Sequence, residues 1–62
     1  PDVKFYEEDI LRMATAYTSK NDYVTYVYFD HDVYVKAEYV NSRKRSETFY
    51  VNSEEKMKKI YE

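Results

Sequence analysis

The stretch from Asp22 to Val51 constrains this chain more than any other feature. It is dense in tyrosine and valine, alternates with a period of two, and has no glycine at any turn. Successive side chains on a strand point to opposite faces, so a period of two marks a half-buried strand. Tyr23 to Phe29 is a run of β-formers: Tyr, Val, Thr, Tyr, Val, Tyr, Phe. Asp30, His31 and Asp32 make a turn, because such residues tolerate unusual backbone angles. Val33 to Val40 reads as the second strand. Val33, Val35, Ala37 and Tyr39 fall on one face; Tyr34, Lys36, Glu38 and Val40 fall on the other. Asn41 to Ser46 is a polar connection, and Glu47 to Val51 is the third strand. Connections this short make neighbouring strands antiparallel, so the three form a meander.

The flanks read as helices. Over residues 3–18, Val3, Tyr6, Ile10, Met13, Ala14 and Tyr17 recur at spacings of three and four. Asp2 stands where an N-cap belongs, Glu8 and Arg12 have the i, i+4 spacing of a helical ion pair, and Asn21 suits a left-handed C-terminal cap. At the other end, Ser53 reads as the N-cap of a helix over 54–61. Glu54–Lys58 and Glu55–Lys59 are spaced as ion pairs, with Met57, Ile60 and Tyr61 as the apolar stripe. That helix is under three turns and has to dock to persist.

The expected fold class is therefore α+β: a two-layer α-β-β-β-α domain over residues 1–62, with helices packed on one face of a three-stranded antiparallel meander. Val33, Val35, Ala37 and Tyr39 face the helices, and Ile10 and Val35 are expected at the centre of the core. The same element order is found in double-stranded-RNA-binding domains. The likeness ends there: such domains have a basic start to the second helix, and Ser53-Glu54-Glu55 is acidic.

Sixty-two residues allow one domain, near the lower limit for folding alone. The chain has no cysteine and one histidine, which excludes disulfides, thiolate metal sites and histidine clusters. A well-packed core or a partner chain has to supply the stability. The formal charge of −2, mixed in sign along the chain, gives no general attraction to nucleic acid or anionic membrane. No apolar run approaches the roughly 20 residues that span a bilayer, and Pro1-Asp2-Val3-Lys4 lacks a signal-peptide pattern. The expectation is a soluble, linker-free domain, cytoplasmic if natural, with no segment repeated. Glycine is absent, so either the backbone avoids positive φ or asparagine and aspartate supply it. This composition fits an artificial scaffold as well as a short, fast-evolving viral or accessory protein.

One segment sits badly in a two-layer monomer. Tyr23, Val27 and Phe29 lie on one face of the first strand, and Val24, Tyr26 and Tyr28 on the other, so both faces are apolar. A three-stranded meander also puts this strand at an edge, with none of the charges or prolines that protect edges. The bland account is that tyrosine packs along a sheet with its hydroxyl in water. The sharper account is an interface built from Tyr23, Thr25, Val27, Phe29, Tyr34 and Val40, whose partner is a protein, a second copy of this chain being the simplest.

Other clusters carry less. Arg43, Lys44 and Arg45 beside tyrosines suggest contact with nucleic acid, the alternative reading. Against it, three basic residues in a turn are ordinarily a solvated loop, and the net charge is negative. Asp30, His31 and Asp32 are spaced too closely to aim at one metal ion. Glu7, Glu8 and Asp9 point in different directions and do not form an acid/base pair. No thiol, no serine with a base partner and no glycine-rich phosphate loop is present. The expectation is a non-enzymatic module without cofactor or metal, active in protein binding or self-association.

Overall fold

The structure is a computed structural model that describes residues 2–62. It consists of six strands: β1 (Asp2–Glu7), β2 (Ile10–Tyr17), β3 (Tyr23–Phe29), β4 (Asp32–Val40), β5 (Arg43–Val51) and β6 (Glu54–Ile60). They form a single antiparallel sheet in sequence order, β1-β2-β3-β4-β5-β6. Among the described residues there is no helix. The fold is all-β, and the expected α+β architecture is corrected. The strands expected over 23–29, 33–40 and 47–51 are present as β3, β4 and a longer β5.

Residues 3–18 form two strands in place of the expected helix, for a definite reason. Glu8 and Asp9 reverse the chain, and the register with β1 then skips Arg12, pairing Phe5 with Met13 and Tyr6 with Leu11. A reversal and a bulge each reset the two-residue alternation. The apolar residues left in view fall at helical spacings by accident, and Phe5 and Leu11, off that stripe, are apolar too. Over 54–61, a marginal short helix competes with a ladder of hydrogen bonds to β5, and the ladder wins. Ion pairs follow strand geometry instead of helix geometry. Arg12 Nε lies 3.4 Å from Glu7, across the hairpin, rather than pairing with Glu8. It has no hydrogen-bond geometry there. Lys56 pairs with Glu54, two residues away on the strand, in place of the expected Glu54–Lys58 and Glu55–Lys59. Asp2 lies in a strand, and neither it nor Ser53 caps a helix.

The turns explain how a chain without glycine makes this sheet. Glu8-Asp9, Asp30-His31, Asn41-Ser42 and Asn52-Ser53 all have φ between 51° and 70°. Two successive positive-φ residues make the type I′ turn, whose twist matches that of paired strands. Asparagine and aspartate supply part of this, as expected, but glutamate, histidine and serine also enter the left-handed region, at a cost of about 1 kcal/mol or more each. Each of the four hairpins then carries one bulge, three residues after the turn, at Arg12, Tyr34, Arg45 and Lys56.

The β2–β3 connection is the exception. Thr18 and Ser19 donate their backbone N–H groups to the Asp22 carbonyl at 2.9 and 3.2 Å. Asp22 Oδ1 then accepts the Asn41 N–H at 2.9 Å, and the Asn21 carbonyl accepts the Ser42 N–H at 2.8 Å. Asn21 therefore braces the β4–β5 turn instead of ending a helix. The Asn41 N–H, and secondarily the Ser19 side chain, hold the Asp22 carboxyl below its ordinary pKa. A carboxylate depressed on folding stabilises above its unfolded pKa, and the effect fades as pH falls through the folded value. Asp22→Ala should therefore lower the melting temperature at neutral pH, with the gap to the parent shrinking in acid. Thermal melts at a series of pH values check this; a gap that persists undiminished at low pH would count against the carboxylate.

No second layer covers the sheet. The Cα extents are 32 × 28 × 13 Å. Among the described residues, Ala37 is the only apolar one that is buried, at 4% exposure, joined by the polar Ser46 and Thr48. Ile10 and Val35 are half-exposed rather than central to a core. The accessible surface is 4887 Å², whereas a compact monomer of this mass exposes about 4,300 Å². Cross-strand pairs and the backbone ladder hold the sheet together.

Candidate functional site

Register alone assigns residues to the two faces, since directly paired residues share a side. One face is crossed by three rows. The first is apolar on every strand: Phe5, Met13, Val27, Val35, Phe49 and Met57. Next to it lies a row of smaller or flatter side chains, Val3, Thr15, Thr25 and Ala37, ending in Glu47 and Lys59. The third row is aromatic: Tyr17, Tyr23 and Tyr39, followed by Lys44 and Tyr61. This face therefore has two bulky ridges with a trough between them. Within these three rows the charges are confined to the β5–β6 corner; a fourth row at the turn end pairs Glu7 with Ile10, Phe29 with Asp32 and Val51 with Glu54, and carries three more carboxylates.

The opposite face is mixed. One row reads Lys4, Ala14, Tyr26, Lys36, Thr48 and Lys58, and another Asp2, Ala16, Val24, Glu38, Ser46 and Ile60. Ser46 Oγ donates to Glu38 Oε1 at 2.8 Å, which satisfies the buried hydroxyl. Regular placement of lysine and glutamate makes this the side suited to water.

The charged corner of the apolar face neutralises itself. Lys44 Nζ donates to Glu47 Oε2 at 2.9 Å, and the Tyr61 hydroxyl donates to Glu47 Oε1. The hydrogen bond from Tyr61, then that from Lys44, keeps the Glu47 carboxyl below its ordinary range; the bond to Glu47 raises the Lys44 ammonium. Lys44 and Lys59 lie 5.5 and 5.3 Å from the Tyr61 ring centroid, both in cation–π range. Along the same row, Tyr23 and Tyr39 stack at 4.6 Å with 17° between planes, and Tyr17 tilts against Tyr23 at 5.1 Å.

The residues singled out from the sequence are distributed unevenly over this surface. Tyr23, Thr25 and Val27 stand on the apolar face, one in each of its three rows. Phe29, 70% exposed, lies at the end of β3, where the bulge at Tyr34 brings the two rings to 6.4 Å. Val40 flanks the Asn41-Ser42 turn, and alternation from Tyr39 puts it on the mixed face. The reason first given for this interface is corrected: β3 is not an edge, since it pairs with both β2 and β4. The edges are β1 and β6. Arg43, Lys44 and Arg45 open β5, with Arg43 and Arg45 exposed and Lys44 engaged by Glu47. Asp30 and His31 are turn residues, and Asp32 begins β4. Among the described residues, no group of three His, Cys, Asp or Glu side chains is placed to hold a metal. No helix among them is long and apolar enough to cross a membrane.

The sequence reading missed half of the apolar face: Phe5, Met13 and Tyr17 on the first hairpin, and Phe49, Met57 and Tyr61 on the last. A signal for them was present. Tyrosine recurs at positions 6, 17, 28, 39, 50 and 61, every eleven residues. The turns keep the same interval, from Asp30 to Asn41 to Asn52. An eleven-residue strand-and-turn unit reverses direction at each step, so successive tyrosines alternate between faces and ends. Tyr17, Tyr39 and Tyr61 fall in the aromatic ridge; Tyr6, Tyr28 and Tyr50 fall on the mixed face at the opposite end. The expectation that nothing repeats is thereby corrected. Comparison with known protein families, curated proteins and solved structures found no match.

Proposed function

We propose that this chain is a non-enzymatic protein-binding module that works through its apolar face. The observation that carries the reading is the unbroken row Phe5, Met13, Val27, Val35, Phe49 and Met57, running across all six strands with no layer above it. Exposed apolar patches of this continuity mark interaction surfaces. The most exposed members are Phe5, Met57 and Met13, at 55, 54 and 48%. A sheet with so little buried apolar surface also gains stability from whatever covers that face in the folded state alone.

The nucleic-acid reading has less to support it. Stacking on bases needs free ring faces, and Tyr23 and Tyr39 use theirs on each other. Lys44 is committed to Glu47, and Lys4, Lys36 and Lys58, the nearest thing to a basic stripe, are spaced apart by Ala14, Tyr26 and Thr48, with Asp2 and Glu38 in the next row.

A fluorescent dye that reports apolar surface tests the proposal. At a dilution where sedimentation gives the monomer mass, the parent should bind the dye. Val27→Lys, at the middle of the apolar row, should abolish the signal while the far-ultraviolet β spectrum is kept. A parent monomer that leaves the dye dark overturns the reading.

A further inference from the structure

We infer that the occupant of the apolar face is a second copy of this chain, stacked face to face across a two-fold axis to make a β-sandwich; this rests on the binding role proposed above. The first argument is area. Extents of 32 and 28 Å bound a face of roughly 900 Å², so stacking covers about 1,800 Å² in total, within the 1,200–2,000 Å² typical of stable specific complexes. The second argument is shape. Two sheets pack about 10 Å apart when the ridges of each interdigitate with the other. Here the row from Phe5 to Met57 is a ridge, and Val3, Thr15, Thr25 and Ala37 beside it form a trough. A two-fold axis running across the strands, between those two rows, sets each ridge over the trough of the partner copy. The face is complementary to itself under the symmetry that dimers most often use.

The third argument is charge. Strands β1 to β4 contribute no charged residue to the three rows of this face. At the remaining corner, Glu47 already pairs with Lys44 and Tyr61. Apart from Glu7, Asp32 and Glu54 at the turn end, a partner that docks through acidic or basic groups finds nothing to meet over the middle of the face. A second apolar sheet of the same twist does, and leaves the mixed face with Lys4, Lys36 and Lys58 in water. Edge-to-edge pairing through β1 or β6 is the competing arrangement. It leaves the apolar face open and matches charges poorly: continuing the register, with β1 of a second copy beside β6, sets Lys4 opposite Lys58.

Sedimentation equilibrium over a concentration series decides the matter. The parent should approach twice the 7.6 kDa chain mass at high micromolar concentration and lose dye binding in step. Met13→Lys places an ammonium in the covered ridge and should weaken association at least about tenfold. Lys58→Pro, at the β6 edge, should leave it unchanged. If Met13→Lys does not fold by circular dichroism, Thr25→Cys with a short bis-maleimide replaces it; the chain has no other cysteine, and a linked dimer is expected. A parent that stays monomeric, association sensitive to Lys58→Pro but not to Met13→Lys, or no cross-link at Thr25→Cys overturns the sandwich. A monomer that binds dye at every concentration removes the second copy and leaves the binding face standing.

Discussion

Replacing Asp9, His31, Ser42 and Ser53 together with glycine should stabilise the chain by about 2–4 kcal/mol, at about 0.5–1 kcal/mol a position. All four are the second residue of a two-residue turn, with φ of 65°, 70°, 62° and 65°. An L-residue pays a steric cost there from its Cβ; glycine does not, although it gives back part of the gain as unfolded-chain entropy. Asn-Gly and Asp-Gly are the favoured type I′ pairs, and Asn41-Ser42 and Asn52-Ser53 come within one substitution of them. For a domain this size the gain corresponds to roughly 15–30 °C in melting temperature. The single change Asp9→Gly is the sharpest member of the set. In the sheet it relieves a turn; inside a helix over 3–18 it would be destabilising, by a few tenths of a kcal/mol. A destabilised Asp9→Gly would therefore speak against the β1–β2 hairpin itself.

Proline should separate the interior of the sheet from its edge. Lys36 and Lys58 lie in the same row of the mixed face, on β4 and β6. The Tyr61 N–H donates to the Arg45 carbonyl at 2.9 Å, and continuing the Ser46–Ile60 register puts these residues directly opposite. That is a hydrogen-bonded pair, so alternation makes Thr48–Lys58 a non-bonded one. The Lys58 N–H then points to the open edge, and the backbone groups of Thr48 turn toward Lys36. Lys36→Pro removes a donor from β4 and strands a buried acceptor on Thr48, 6% exposed. The expected loss is on the order of 3 kcal/mol, enough to unfold a small domain. Lys58→Pro should change the melting temperature little. Urea melts of the two variants beside the parent make the comparison. Equal damage from both would mean that β6 is not an edge, or that its register is wrong.

Strands over 23–29, 33–40 and 47–51 were legible in the sequence, while Arg43 to Ser46, which read as a connection, extend β5. Period-two alternation, β-branched and aromatic residues and short polar connections agree there, and local agreement is what makes a segment legible. The residues of the candidate face within that stretch, Tyr23, Thr25 and Val27, were legible for the same reason. So was the lack of any group suited to a thiolate or histidine metal site. The tyrosine interval of eleven residues also lay in the sequence, as a statement about a repeating strand-and-turn unit.

The remainder depended on contacts between elements. Residues 3–18 and 54–61 have weak local preferences; Glu54 to Lys59 is almost wholly charged, and what fixes it as a strand is the ladder to β5. Glu8-Asp9 became a reversal although neither residue is glycine, because closing the hairpin repaid the strained φ angles. That one turn split the supposed first helix into two strands and moved β3 from the edge of the sheet to its interior. With no helix left to cover it, the face from Phe5 to Met57 became the surface of the protein rather than its core. Burial depends on which elements meet, and local pattern does not contain that information.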